Sequence, residues 1–175
     1  MAQERAGAVK MKGNPVTLLG PEIKVGDKAP EFNAIESLGS PPVTLDSLKG
    51  KVKVFNVVVS VDTPVCDVQT KRFNQEAANL PGDVEILTVS MDLPFGLKRY
   101  CGAAGIDKIR TISDYRDANF GEAYGVLMKD NRLLARAVFV IDKNDTVQYA
   151  EYVDEVTHEP NYEGALAAIK MVAKQ

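Results

Sequence analysis

The segment from Lys51 to Val61 constrains the chain more than any other. Val52, Val54, Phe55, Val57, Val58, Val59 and Val61 make it almost continuously β-branched or aromatic. Side chains alternate between the two faces of a strand, so a run this apolar has no face to offer to water. It must lie at the centre of a sheet, buried on both sides, with parallel neighbours expected. Asp62-Thr63-Pro64 stops the run, and the pattern then changes period. Val65, Val68, Phe73, Ala77 and Leu80 fall at near-helical intervals between Pro64 and Leu80. Pro81-Gly82-Asp83 ends that helix, and Val84–Ser90 reads as a second buried strand. Together these pieces form a β-α-β unit, for which a right-handed crossover is expected.

The flanking segments fit the same layered plan. Residues 1–12 are polar and mixed in charge, with a frayed start expected. Gly13-Asn14-Pro15 marks a turn between Ala8–Lys12 and Val16–Leu19, so residues 1–19 read as a frayed start and a hairpin. Val43–Leu45 suits a short strand, Gly96–Ala104 a short helix carrying Cys101, Ile109–Ser113 a strand and Asp117–Tyr124 a short helix. Leu133–Ile141 and Thr146–Val153 are two further strands, joined through Asp142–Asp145 and therefore antiparallel. Asn161–Lys174 closes the chain as an amphipathic helix with Tyr162, Leu166, Ile169 and Val172 inward. Phe120 and Met128 read as core. At 175 residues, with no internal repeat, the expectation is one domain over 1–175. The order of elements is that of an α/β, thioredoxin-like fold: a central mixed β-sheet flanked by helices, with an added N-terminal β-hairpin.

Composition removes several function classes. A net charge of -3 argues against a nucleic-acid partner and against an anionic membrane surface. The longest apolar run is far too short to span a bilayer, and no charged start leads into an apolar signal segment. The cytoplasm is the expected compartment. There are two cysteines, Cys66 and Cys101, with no Cys-x-x-Cys, and one histidine, His158, which reads as a surface residue. That set is too poor for a zinc site, so no metal or other cofactor is expected. In a reducing compartment, two cysteines are more often inert buried thiols than a permanent disulfide.

Cys66 nevertheless stands where a thiol can react. Thr63 is a good helix N-cap, and Pro64 suits the first helical position because it lacks the amide hydrogen that would go unbonded there. Cys66 then falls at the third position, among free backbone amides and at the positive end of the helix dipole. A free thiol has a pKa of about 8.5, and such surroundings favour the thiolate, which is the nucleophile. The first turn after a central strand is also the sheet edge where open α/β folds build their sites. The competing reading is a small apolar residue buried on the inner face of the helix. Residue chemistry alone leaves both open.

Ser60-Val61-Asp62-Thr63-Pro64-Val65-Cys66 resembles the peroxidatic-cysteine motif of the peroxiredoxins. Lys71–Asn74, Ser90-Met91-Asp92-Leu93-Pro94-Phe95 and Arg99-Tyr100-Cys101-Gly102 are similar to the thiol peroxidase branch, the atypical two-cysteine peroxiredoxins. Gly13–Val16, Leu133–Phe139 and Glu159–Tyr162 extend the resemblance over residues 12 to 172, in order. It implies that Cys66 is the peroxidatic cysteine, Cys101 the resolving cysteine, and Thr63 a hydrogen-bonding partner of the thiolate and the peroxide. Arg136 matches the family's active-site arginine. Taken alone Arg136 would read as a solvated strand charge, but its neighbours Leu133, Leu134, Ala137, Val138 and Phe139 are apolar, so the charge needs a partner.

The implied reaction is reduction of hydrogen peroxide and organic hydroperoxides through a Cys66 sulfenic acid and a Cys66–Cys101 disulfide, recycled by thioredoxin, in a homodimer. Met91, Leu93, Pro94 and Phe95 would supply an apolar lip near the site. Closing the disulfide is expected to require unravelling around Cys66 or Cys101. One position departs from the motif: Val59 stands where a proline is usual, restoring an amide hydrogen that can extend the strand toward the site. A redox sensor or binding protein using the same disulfide as a switch is the alternative.

Overall fold

The protein is described here over residues 2–174 by a computed structural model. Its first elements are β1 (Glu4–Met11), β2 (Asn14–Leu19), β3 (Asn33–Ala34), β4 (Val43–Thr44), a 3-10 turn at Asp46–Leu48, and β5 (Val52–Val57). There follow α1 (Pro64–Ala77), β6 (Val84–Ser90), α2 (Pro94–Ala104), β7 (Arg110–Ser113), α3 (Asn119–Ala123) and β8 (Leu127–Met128). The last are β9 (Ala137–Ile141), β10 (Val147–Tyr152) and α4 (Tyr162–Ala173). Five of the strands form one sheet in the order β10-β9-β5-β6-β7. The β-rich run at β5 is central, as its composition demands. It is parallel to β6, and β6 to β7, but antiparallel to β9 on its other side. The sheet is thus the mixed sheet flanked by helices that the order of elements implied.

Strand alternation puts one apolar cluster on each face of the sheet, and a third gathers Val9, Leu18, Val58, Cys66, Leu97 and Val156. Val52 and Val54 of β5, with Ile86, Val138 and Val140, face Phe73 of α1 and Ala165, Leu166, Ile169 and Val172 of α4. Phe55 and Val57, with Leu87, Val89, Phe139 and Ile141, face a layer built from Phe32, Phe120 and Tyr124. The rings of Phe32, Phe55 and Phe120 meet edge to face at centroid distances of 5.1 to 5.4 Å. Such pairs add about 0.5–1.5 kcal/mol each beyond burial. Lys53 and Asn56 interrupt the apolar pattern, and each has a partner: Lys53 Nζ donates to Asp145 Oδ1 at 2.5 Å, and Asn56 turns toward α1. A buried cation or amide is tolerable only when paired in this way.

Several boundaries differ from the sequence reading. The start is not frayed from Glu4 onward, because β1 pairs with β2 and Arg5 reaches across to the carbonyl of Gly20 at 3.0 Å. Met1 lies outside the described residues. The hairpin turn is Lys12-Gly13, both with positive φ (51° and 82°), which is the two-residue turn whose twist suits a hairpin. β5 ends at Val57: the amide of Val58 still reaches the carbonyl of Val89 at 3.0 Å, after which the chain leaves the sheet, so Val59 does not extend the strand. The segment read as a strand from Leu133 is regular only from Ala137. β3 and β8, two residues each, are too short to carry a period.

Candidate active site

The site begins where β5 hands over to α1. Thr63 is extended (φ -98°, ψ 148°), Pro64 is the first helical residue, and Cys66 sits in the first turn, as the spacing implied. The loop before it is braced by Asp92, whose carboxylate accepts from Ser60 Oγ at 2.7 Å, from Val61 N at 3.0 Å and from Ser90 Oγ at 2.7 Å. Thr63 Oγ1 donates to the carbonyl of Ser60 at 3.0 Å, so its hydrogen is used within the loop and does not cap the helix. No hydrogen bond joins Thr63 to Cys66; the expected contact is absent from this arrangement because the hydroxyl is committed to Ser60.

Arg136 lies just before β9 and is 2% exposed. Its Nη1 donates to Cys66 Sγ at 3.2 Å and to Gln69 Oε1 at 2.8 Å, while its Nε donates to the carbonyl of Val156 at 2.9 Å. The buried guanidinium thus has three acceptors, one of which is the sulfur, and it places positive charge where a thiolate would form. Gln69 in turn donates through Nε2 to Asn56 Oδ1, and Asn56 Nδ2 reaches Thr88 Oγ1 at 2.9 Å and Thr70 Oγ1 at 3.4 Å. The sequence reading missed Gln69, Asn56 and Val156. Gln69 was accessible to it, since a polar residue three positions after Cys66 shares its helix face. Asn56 and the Val156 carbonyl were not, because their role depends on the sheet and on a loop near the C-terminus.

A cavity of about 330 Å³ opens beside these groups. Val59, Pro64, Val65 and Val156 give it apolar walls, Met11 and Lys12 of the hairpin also line it, and Thr63, Arg136 and Thr157 are among its polar groups. Cys66 itself is 0% exposed, directly behind Arg136. The apolar lip is therefore not the one expected. Pro94 and Phe95 line a different cleft, of about 520 Å³, which Cys101 also lines. Leu93 and Phe95 are 53% and 68% exposed, and Met91 packs on the core.

Both cysteines are free thiols. Cys101 is half-buried between α2 and β7, with its sulfur 3.9 Å from Thr111 Oγ1. Burial pushes its thiol above the ordinary value, and the Thr111 contact partly opposes that. Cys66 and Cys101 belong to different apolar clusters, so this fold brings Cys66 to Arg136 but does not join Cys66 to Cys101. Tyr100, next to Cys101, donates to Asp67 Oδ1, next to Cys66, at 2.7 Å. His158 is exposed, as read.

Residues 24–166 match the Redoxin family. The chain is 59% identical to a thiol peroxidase of Halalkalibacterium halodurans over 163 residues, covering 93% of this chain and 97% of that one. It is 54% identical to a thiol peroxidase of Bacillus subtilis, covering 95% and 98%. Among solved structures, a peroxiredoxin-like protein from Aquifex aeolicus superposes with a TM-score of 0.87 at 42% identity, covering 97% of this chain and 99% of that chain. A thiol peroxidase from Chromobacterium violaceum shares the fold, with a TM-score of 0.82 at 19% identity. The sequence matches run over nearly the whole length of both this chain and the curated relatives, at more than half of the positions identical, and the chain belongs to the thiol peroxidases of the Redoxin family.

Proposed function

We propose that this thiol-dependent peroxidase uses Cys66 as its peroxidatic nucleophile and Cys101 as its resolving thiol. The observation that carries the reading is the 3.2 Å contact from Arg136 Nη1 to Cys66 Sγ in the first turn of α1. The Cys66 thiolate attacks the terminal oxygen of a hydroperoxide; the O–O bond breaks, and the leaving oxygen takes up a proton to depart as water or an alcohol. Sulfur is oxidised to the sulfenic acid and the peroxide is reduced. Arg136, fixed by Gln69 and Val156, stabilises the charge on the sulfur and on the departing oxygen without having to reorganise. Thr63 lines the same cavity and can turn its hydroxyl from Ser60 to the peroxide. The Cys101 thiolate then attacks the sulfenic sulfur. The S–S bond forms, the S–O bond breaks, and hydroxide leaves as water after protonation.

An external dithiol of the thioredoxin type returns the disulfide to two thiols by exchange and is itself oxidised. The apolar walls at Val59, Val65 and Val156 suit organic hydroperoxides as well as hydrogen peroxide. The same reading takes residues 1–175 as one catalytic domain, working in the cytoplasm as a homodimer. Exposed Leu93 and Phe95 offer apolar surface for a second copy, and sedimentation would measure it. No described helix is long and apolar enough to cross a membrane.

The test is peroxide consumption coupled to a thioredoxin system. Cys66→Ser should abolish turnover; Cys101→Ser should still undergo one oxidation and then stop. Steady turnover by Cys66→Ser would remove Cys66 from the reaction, and undiminished thioredoxin-linked turnover by Cys101→Ser would remove Cys101.

A further inference from the structure

The two thiols are tied together through the residues that adjoin them. Tyr100 immediately precedes Cys101 on α2, Asp67 immediately follows Cys66 on α1, and the phenol donates to Asp67 Oδ1 at 2.7 Å. Among the described residues this is the one side-chain hydrogen bond between α1 and α2 themselves. Asn74 of α1 reaches only the turn beyond α2, at Gly105, Asp107 and Lys108. The second partner of Asp67 is Lys71 at 2.9 Å, one turn along the same helix. The Tyr100 ring packs against both the cluster that contains Cys66 and the cluster that contains Cys101. Burial, then the Asp67 carboxylate, hold the phenol well above its ordinary pKa, so it remains a donor throughout the neutral range.

Resolution demands a different arrangement. A disulfide needs the two Cα atoms within about 7 Å and the sulfurs in contact. In the reduced fold Cys101 faces Thr111 on β7, Cys66 lies behind Arg136, and Tyr100 packs on both clusters. Tyr100 adjoins Cys101 on α2, so a movement of α2 that carries Cys101 to Cys66 also moves the phenol bound to Asp67.

We infer that Tyr100 is a positioning residue for the resolving half of the reaction, and that its hydroxyl, bound to Asp67, latches the Cys101 helix to the Cys66 helix until the disulfide closes. This rests on Cys101 being the resolving thiol. The latch sets how long the Cys66 sulfenic acid persists. While it persists, a second hydroperoxide can transfer an oxygen to the same sulfur, leaving as water or alcohol and producing a sulfinic acid that thiols do not reduce. Opening the latch shifts the choice toward disulfide.

The experiment mixes the reduced protein with excess peroxide, follows the second kinetic phase by stopped flow, and weighs the products for disulfide and for the gain of two oxygens. Tyr100→Phe keeps the ring and loses only the hydroxyl, and Asp67→Ala removes the acceptor. A hydrogen bond to a charged group is worth roughly a factor of ten. Each variant should therefore close the disulfide about tenfold faster, with about tenfold less sulfinic acid at equal peroxide. Their combination should be no faster than either alone, because both remove the same bond. Asp67→Asn, which can still accept, should fall between them and wild type, and Lys71→Met should match wild type.

An unchanged or slower second phase in Tyr100→Phe would overturn the latch, as would independent, multiplying effects in the double variant. A lowered melting temperature with an unchanged product ratio would mark Tyr100 as merely structural and would overturn it too. If wild type forms no Cys66–Cys101 disulfide, the resolving role of Cys101 fails first. That result is distinct from a disulfide whose rate ignores Tyr100.

Discussion

Arg136 offers only donors, so every partner it has must accept. The sulfur of Cys66, Oε1 of Gln69 and the Val156 carbonyl meet that demand. With its oxygen committed, Gln69 must present Nε2 to Asn56, which leaves Asn56 Nδ2 for Thr88 and Thr70. Donor and acceptor logic alone thus orients three buried groups. A lysine at 136 keeps the charge, but one nitrogen on a flexible stem cannot reproduce the planar fork. Arg136→Lys is expected to slow formation of the Cys66 sulfenic acid by about 100-fold or more, the usual cost of losing a fixed donor at a reacting centre. Stopped-flow oxidation with hydrogen peroxide measures it, and a rate within a few-fold of wild type would place Arg136 outside the chemistry. Burial raises the Cys101 thiol, so its thiolate fraction at neutral pH is small. Disulfide closure should therefore quicken about tenfold per pH unit through the neutral range, levelling only above the ordinary thiol range. A profile that levels already at the ordinary thiol pKa of about 8.5 would show that α2 frees Cys101 from burial before the sulfur reacts.

At the scale of elements, the N-terminal hairpin is part of the site's support. Lys10 N donates to the Asp154 carbonyl at 2.7 Å, and Val156 N donates to the Lys10 carbonyl at 2.9 Å, which holds the loop whose Val156 carbonyl binds Arg136. Glu155 fastens the turn, accepting from Gly13 N at 2.8 Å, Lys12 N at 3.1 Å and Thr157 Oγ1 at 2.8 Å. The Gly13 amide leads the groups that pull its carboxyl down to about 2. An unfolded glutamate titrates at about 4.3. The folded pKa is the lower one, so this stabilisation is present above the unfolded value and is lost as pH falls toward about 2. Glu155→Gln should lower stability at pH 7 and change it little at pH 2, as urea unfolding at the two pH values would show. Equal losses at both would assign the effect to packing. The hairpin's existence was legible from Gly13-Asn14-Pro15, while its turn lies one residue earlier because Lys12 also adopts positive φ. Periodicity located β6 and α4 well, since each presents one regular buried pattern, and overran β5, whose last valines leave the sheet for a loop held by Asp92.

For the whole molecule, the sheet fixes where the two thiols start and therefore what must move. Hydrogen exchange should lose protection on oxidation in residues 64–67, in 94–104, or in both, while β5, β6 and β9 stay protected, because the strands gain nothing by opening. Uniform loss over the sheet would mean global unfolding, and no local loss would mean that the disulfide closes without unravelling. The sequence by itself determined the central strand, the β-α-β unit after it and the helical first turn that holds Cys66, because each follows from local period, capping and proline chemistry. It also carried the resemblance that singled out Thr63, Cys101 and Arg136. Only the tertiary structure decided that Arg136 points at Cys66, that Gln69 and Val156 hold it there, that Val59 ends in a cavity wall, and that Phe95 belongs to the cleft at Cys101. Those contacts join residues far apart in the chain, and which of them meet depends on strand order and on how the loops between strands and helices are placed, which no local pattern encodes.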